Sequence, residues 1–373
     1  MNRVILNKDI PFFSYAQAPQ ELKSEWMCAI ESVVKSGNFI SGHYVKKFEE
    51  EWALAIGSKY SIGVSNGLDG LVLALTALGI GEGDLVAVPA HTFFATWIAV
   101  LRTGATPVGI DVDANGLLDL EILFSLKMKI KAVIPVHMHG AMVNMLKLCS
   151  WAKSQGVFVV EDASQSHLAK IDERSSGNWG EVGVFSLYPS KNLGALGDAG
   201  VVVTSDEKIA MTIRKLANYG SDVKNKYKHQ LVGYNNRLDS IQAAILSVNL
   251  KYLKEWNNTR VDLAAKYLGL FEGNQIHILH NAEINSVRHH FCILHENRDR
   301  LMQELRKDGI GSEIHYPFTA ASEYQNIMKL DKIDFPNATK LSKRILSIPL
   351  SQWHSVEQVQ KVAHSVISIV ARL

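Results

Sequence analysis

Cysteine is scarce in this 373-residue chain: Cys28, Cys149 and Cys292 are the only three, and they lie far apart. They supply neither a disulfide framework nor a metal-ligand pair, which points to a reducing compartment and makes the cytoplasm the expected location. Long hydrophobic runs are also missing, since none approaches the roughly 20 residues needed to span a bilayer. The N-terminal MNRVILNKDIPFF breaks its short apolar run at Asn7, Lys8 and Asp9, too early for a secretory signal. Neither sign of charge is in excess, because 39 basic residues stand against 37 acidic ones. A net charge of +2 creates no overall field for a nucleic-acid backbone or an anionic membrane, so neither is an expected partner. Internal repeats and low-complexity segments are absent as well.

What is there is ordinary globular material, 47% hydrophobic and 20% charged, enough for a large core. From about residue 60 two textures alternate. LVAVPA (Leu85–Ala90), TPVGIDVD (Thr106–Asp113), KAVIPVHMHG (Lys131–Gly140) and VFVVEDA (Val157–Ala163) read as buried strands. DGLVLALTALG, FFATWIAVLRTG, LLDLEILFSLK and MLKLCSWAKSQG read as helices, with Gly79, Gly104 and Gly156 placed where helices stop. This alternation predicts an α/β fold with a mostly parallel central sheet covered by helices on both faces. EVGVFSLY, GVVVT and the helix KIAMTIRKLANYG continue the unit. The helical stretch Ser240–Phe271 is too long for one compact core helix unless it connects two bodies. The expected division is a large domain over residues 1–250, with an N-terminal arm, and a smaller α+β domain over 251–373. The smaller one would hold a strand near HHFCILH, a helix NRDRLMQELRKDG and a final amphipathic helix SVEQVQKVAHSVISIVARL.

In parallel sheets ligands gather beyond the carboxyl ends of the strands. Asp162, after four apolar residues, stands at that rim, where it can cap a helix, bind a metal or pair with a protonated heterocycle. With no further ligand at metal-binding spacing, the metal reading is disfavoured. Lys191, in FSLYPSKNLGALGDAG, sits among small and apolar residues with no acidic residue near it until Asp198. Desolvation of such a lysine disfavours its ammonium form. A rim lysine and a rim carboxylate in one cleft are what pyridoxal phosphate chemistry needs: the amine binds the aldehyde and the acid keeps the ring nitrogen protonated. SNGLDG (Ser65–Gly70) before an apolar helix, and Ser186 five residues before Lys191, could receive a phosphate. Phe93, after a strand end, could cover a flat ring, or could equally be a core phenylalanine. Each signal alone has an ordinary structural explanation, and their convergence on one rim favours the cofactor.

EDASQSH, FSLYPSKNLGALGDAGVVVT, GYNNRLDSIQAAIL and GIGSEIHYP together resemble the DegT/DnrJ/EryC1/StrS family of pyridoxal phosphate-dependent sugar aminotransferases, from about Asn38 to Leu350. The resemblance implies a fold-type I (aspartate aminotransferase-like) enzyme, working as a homodimer with active sites shared across the interface. It implies that Lys191 is the Schiff-base lysine, Asp162 the partner of the pyridine nitrogen and Gln165 a donor to the ring hydroxyl oxygen. Phe93 would stack on the ring, the Gly67 and Leu68 amides and the Ser186 hydroxyl would bind phosphate, and Asn235 or its neighbour Asn236, with Arg237, would reach into the other subunit's site. Tyr188, His315 and Tyr316 would line the sugar-nucleotide pocket. His167 also matches, with a structural role behind the cofactor as the alternative. SNGLDG resembles the form found in enzymes that aminate C-3 of dTDP-linked 6-deoxyhexuloses, rather than the SGT form of 4-aminotransferases. Gly70 stands where alanine is usual, a change expected to loosen the helix start slightly.

The implied reaction is a ping-pong transfer of the amino group of L-glutamate, which leaves as 2-oxoglutarate, to a nucleotide-linked keto-sugar, as in deoxyamino sugar biosynthesis for lipopolysaccharide or S-layer glycans. A UDP- or dTDP-4-keto sugar is the alternative acceptor. A nicotinamide oxidoreductase is a poor rival, because GIGEGD (Gly79–Asp84) follows a helix and precedes a strand, the reverse of dinucleotide order. A regulatory protein that keeps the cofactor is the non-enzymatic rival.

Overall fold

A computed structural model describes residues 9–222, 225, 227–281 and 283–373. Its central sheet is built, in chain order, from β1 (Tyr60–Val64), β2 (Leu85–Pro89), β3 (Thr106–Ile110), β4 (Ala132–Val133) and β5 (Phe158–Asp162). A small hairpin of β6 (Lys170–Ile171) and β7 (Arg174–Ser175) follows, and then β8 (Val182–Ser186) and β9 (Gly200–Thr204) complete the sheet. Across the sheet the order is β1-β9-β8-β5-β4-β2-β3. Neighbours from β3 to β8 pair in parallel, and β9 runs antiparallel to both β8 and β1. The valine-rich runs form these strands because both sheet faces are covered, so no polar alternation is needed.

Helices α1 (Gln20–Ser36) and α2 (His43–Ile56) precede the sheet, and α3 (Gly67–Ala77), α4 (Ala95–Arg102), α5 (Leu120–Phe124) and α6 (Met145–Gln155) connect its strands. Helix α7 (Glu207–Ala217) follows β9. One face of the sheet packs Val86, Val88, Val160, Val184 and Val202 against α3, α4 and α7. The opposite face packs Phe185, Val201 and Val203 under α2 and α8 (Ser240–Leu250), and Val133 and Val159 under α6. Helices α3 and α6 end where glycine was expected to stop them, with Gly79 and Gly156 at φ of +72° and +64°. Gly104 closes the segment after α4 at +84°.

The stretch expected as one long helix is two, α8 and α9 (Leu253–Phe271). Lys251 and Tyr252 keep helical dihedrals, but their N–H groups bond back to Val248 and Asn249 in a tighter turn, which re-aims the chain without proline or glycine. Helix α8 joins the core beneath the large sheet. Helix α9 joins α10 (Arg298–Lys307), α13 (Val356–Val370) and the antiparallel sheet of β10 (His277–Ile278), β11 (Phe291–Leu294) and β12 (Ile345–Ile348) in a second core. Packing does not follow chain order throughout. Ile10 bridges to Ile310 and is buried in the second core, whereas α11 (Ala320–Met328) and α12 (Pro336–Arg344) place Ala320, Ala321, Ala338 and Leu341 in the first.

Candidate active site

Asp162 is the last residue of β5, nearly enclosed, and its carboxylate is fixed from two sides. Thr96 donates its hydroxyl to Oδ2 at 2.9 Å, and the Ser164 amide lies 3.2 Å from Oδ1. Because a carboxylate only accepts, Thr96 is the donor there and takes its own hydrogen bond from Thr92, 3.1 Å away. Lys191 stands in the turn after β8, which closes through Lys191 N to Tyr188 O and Ala195 N to Leu187 O. The residue is only partly exposed, and its amine is set deep in the protein. Burial lowers its pKa to about 8, against an opposing pull from the charge of Asp162. Lysine and carboxylate thus share one electrostatic environment.

Beside them, the start of α3 forms an anion cradle. Asn66 caps the helix by accepting from Asp69 N, and Ser65 and Asn66 both donate to the Asp69 carboxylate. This leaves the Gly67 and Leu68 N–H groups without intrahelical acceptors, at the positive end of an 11-residue helix. A Cβ on Gly67 would stand 2.9 Å from Ser186 Cβ and 3.3 Å from Ser164 Oγ, so glycine is what lets the helix start approach the end of β8. Gly70, expected to loosen this helix, has a different role: an added methyl would meet Val184 Cγ1 at 2.7 Å. The missing side chain permits close packing of helix on sheet.

Gln165 accepts from His139 N at 2.7 Å and donates to Tyr316 Oη at 3.2 Å. Tyr316 packs on Phe93, with ring centroids 5.4 Å apart. Phe93 is 58% exposed and therefore not a core residue. Tyr188 is likewise exposed, next to the lysine turn. His315 stacks on His290 at 3.9 Å, and His290 Nδ1 lies 3.1 Å from His139 Nδ1. Burial holds His139 and His290 well below the usual histidine range, so one neutral ring donates to the other. Sequence reading missed Thr96, Ser164, His139 and His290. None of the four carries a local pattern, since Thr96 meets Asp162 only across 66 residues of chain and His139 meets His290 across 151. Among the described residues, no three His, Cys, Asp or Glu side chains could hold a metal ion.

His167 lies behind β8. Its Nε2 bonds to Ser186 O at 2.9 Å, its ring packs on Trp52 and Phe185, and burial lowers its pKa to about 3. This geometry favours the structural alternative. The contacts of Asn235 and Arg237 run to the end of α7 and the residues after it, not to the lysine turn. Asn235 bridges to Asn218, and Arg237 donates to Asn218 Oδ1 at 3.0 Å and packs over Tyr219. Asn236 bonds through its amide to Ala217 O. The GIGEGD segment is a plain turn between α3 and β2.

Residues 20–367 match the model of the DegT/DnrJ/EryC1/StrS aminotransferase family. A dTDP-3-amino-3,4,6-trideoxy-alpha-D-glucose transaminase of Streptomyces venezuelae is 38% identical over 363 residues, covering 96% of this chain and 95% of that protein. A protein of Geobacillus stearothermophilus called a pleiotropic regulatory protein is 36% identical over 369 residues, covering 96% of this chain and 98% of that one. The structure of DesV from S. venezuelae, in complex with a ketimine intermediate, superposes with a TM-score of 0.94 at 36% identity, covering 98% of this chain and 100% of that chain.

Proposed function

The chain belongs to the DegT/DnrJ/EryC1/StrS aminotransferase family, a fold-type I family of pyridoxal phosphate-dependent sugar-nucleotide transaminases, and on that premise we propose that it aminates C-3 of a dTDP-3-keto-6-deoxyhexose with L-glutamate as donor. The observation that carries the site assignment is the meeting of a desolvated lysine, a fixed carboxylate and a helix-start anion cradle at one sheet rim. The residues present fit pyridoxal phosphate. Asp162 would hold the ring nitrogen, Gly67, Leu68 and Ser186 the phosphate, Gln165 the ring hydroxyl, and Phe93 the ring face. Bound there, the cofactor supplies an electron sink and a carrier for the amino group.

The remaining work belongs to the protein. Lys191 Nζ, eased toward its neutral form by burial, would take the proton from the carbon that loses nitrogen and deliver it to the carbon on the other side of that nitrogen, the one that gains it. Thr96 and the Ser164 amide keep both Asp162 oxygens in place, so the carboxylate does not swing away from the ring. Phe93 and His315 both pack on Tyr316, and with Tyr188 they would line the cleft on the sugar-nucleotide side. Asn235 and Arg237 would complete the partner subunit's site in a homodimer. Support comes from their bonding to Asn218 and Tyr219 rather than to the lysine turn, and from exposed Tyr219, Leu231, Val232 and Tyr234 on the same segment.

The S. venezuelae relative and the SNGLDG form favour C-3 over C-4. The test incubates the protein with glutamate and a panel of dTDP- and UDP-linked 3-keto and 4-keto sugars and locates the new nitrogen by NMR. Product from 4-keto sugars alone would overturn the C-3 reading. Lys191→Ala should lose both the visible absorbance of lysine-bound cofactor and turnover, and keeping both would overturn its assignment. Conversion of the bound cofactor by glutamate, with release of 2-oxoglutarate, separates an aminotransferase from a regulatory protein that only holds the cofactor.

A further inference from the structure

Asn192, the residue after Lys191, is fully buried, and all its polar atoms are used. Its Nδ2 donates to Asn257 Oδ1 at 2.8 Å and to Val287 O at 3.1 Å, and its Oδ1 lies 2.9 Å from His289 Nδ1. An amide oxygen only accepts, so His289 donates through Nδ1. Asn257 in turn donates to His167 O, and His167 Nε2 donates to Ser186 O, both about as short. A ring of hydrogen bonds therefore leaves the end of β8, passes through His167 and Asn257, and returns through Asn192 to the lysine turn. Asn257 lies on α9, and Val287 and His289 lead into β11. The other side-chain anchors of the turn, Tyr15 on Ala195 O, Asn249 on Gly194 O and Gln242 on Leu196 N, hold it from Gly194 onward and come from other elements.

We infer that Asn192 is a positioning residue: its carboxamide sets where Lys191 Nζ stands at the rim and ties that position to the docking of α9 and the 287–289 segment. This rests on the reading of Lys191 given above. No charged residue could replace the carboxamide, because one oxygen must accept from His289 while two donors face carbonyl oxygens. With the ring broken, the turn loosens, water reaches the amine, and the neutral fraction of Lys191 at neutral pH falls.

The test uses the full-length protein freed of cofactor. The rate of pyridoxal phosphate capture is followed by absorbance from pH 6.5 to 9.5 in Asn192→Leu, Asn257→Leu and the double variant, roughly spanning the lysine titration. The expected result is capture slowed about tenfold at neutral pH, with its pH midpoint about one unit higher, since one unit of pKa changes the neutral fraction about tenfold. The double variant should lose no more than the larger single one, because both break the same ring. After reconstitution, kcat should fall while the sugar KM stays within about twofold. Folded single variants with wild-type capture rate and midpoint, or additive losses, would overturn the inference. If Asn192→Leu does not fold, Asn257→Leu decides alone, because it changes no atom of the turn. Borohydride reduction of the wild-type protein keeps the two readings apart: label on a peptide lacking Lys191 refutes the lysine assignment itself.

Discussion

At the residue scale, the lysine is held at a cost to the fold. Its pKa, lowered by burial to about 8 against 10.5 in water, means that the unfolded chain binds a proton the native chain lacks between those values. Stability therefore rises with pH across that window, and below about pH 8 the full penalty is present. Discounted for the partial exposure of the residue, the penalty amounts to about 1–3 kcal/mol. In cofactor-free protein, Lys191→Met should therefore be more stable than wild type at pH 7 by about 1–3 kcal/mol, with the gap closing toward pH 10. Paired urea melts at both pH values check it, and a variant that is less stable at pH 7 refutes it. Lys191 and Asp162 were legible because a charge after an apolar run is conspicuous. Thr96 and Asn192 were not, because their partners lie 66 and 65 residues away and only the fold brings them together.

At the element scale, β5 ends in two carboxylates that point to opposite sides of the sheet. Asp162 faces the lysine. Glu161, with no exposed surface, accepts from the amides of Gly177, Trp179 and Gly180 and from His137 Nε2. His137 Nδ1 accepts from Val143 N, which leaves Nε2 as the donor. Four donors thus face one carboxylate, and Glu161→Gln would turn an amide NH2 against some of them. We expect a loss of about 2–5 kcal/mol, read as a lower urea midpoint at unchanged m. In α3, Gly70→Ala would gain about 0.5–1 kcal/mol of helix propensity but meet the stiff Val184 side chain, which costs about 1–3 kcal/mol. Net destabilisation is expected, and a raised Tm would contradict it. Element types were legible where period and burial agree. KAVIPVHMHG reads as a ten-residue strand but ladders only at Ala132–Val133, with a single further bridge at Val136. Pro135 has no N–H to give to a ladder, and Met138–Gly140 turns away as a short 3-10 segment to receive Gln165. Helices α1 and α2, and α11 and α12, carried no helix assignment from sequence; the short α12 begins with Pro336, a start signal that was overlooked.

At the scale of the whole molecule, the proposed homodimer gives a direct complementation test. Lys191→Ala and Arg237→Ala proteins should each be inactive. Mixed and allowed to exchange, they should recover about a quarter of wild-type activity, since half the dimers are hybrids with one intact site of two. Recovery of none would place Arg237 in the same site as the lysine of its own chain. Val232, 95% exposed, supplies the second check: Val232→Asp should weaken the dimer in light scattering and lower activity with it. Sequence could propose this segment only through resemblance, because an exposed valine inside one chain has no signature of its own.

The antiparallel strand β9 has a consequence for how the protein is made. Strand β1 pairs with β9 alone, about 140 residues later in the chain, and the lysine turn is the link that delivers β9 to its place. A nascent chain leaving the ribosome carries β1 with both edges bare until Thr204 has emerged, a hazard for edge-to-edge aggregation that holdase chaperones relieve. The vitamin B6 aldehyde then meets its amine only after this closure, so cofactor loading reports that the sheet is complete rather than assisting its early assembly.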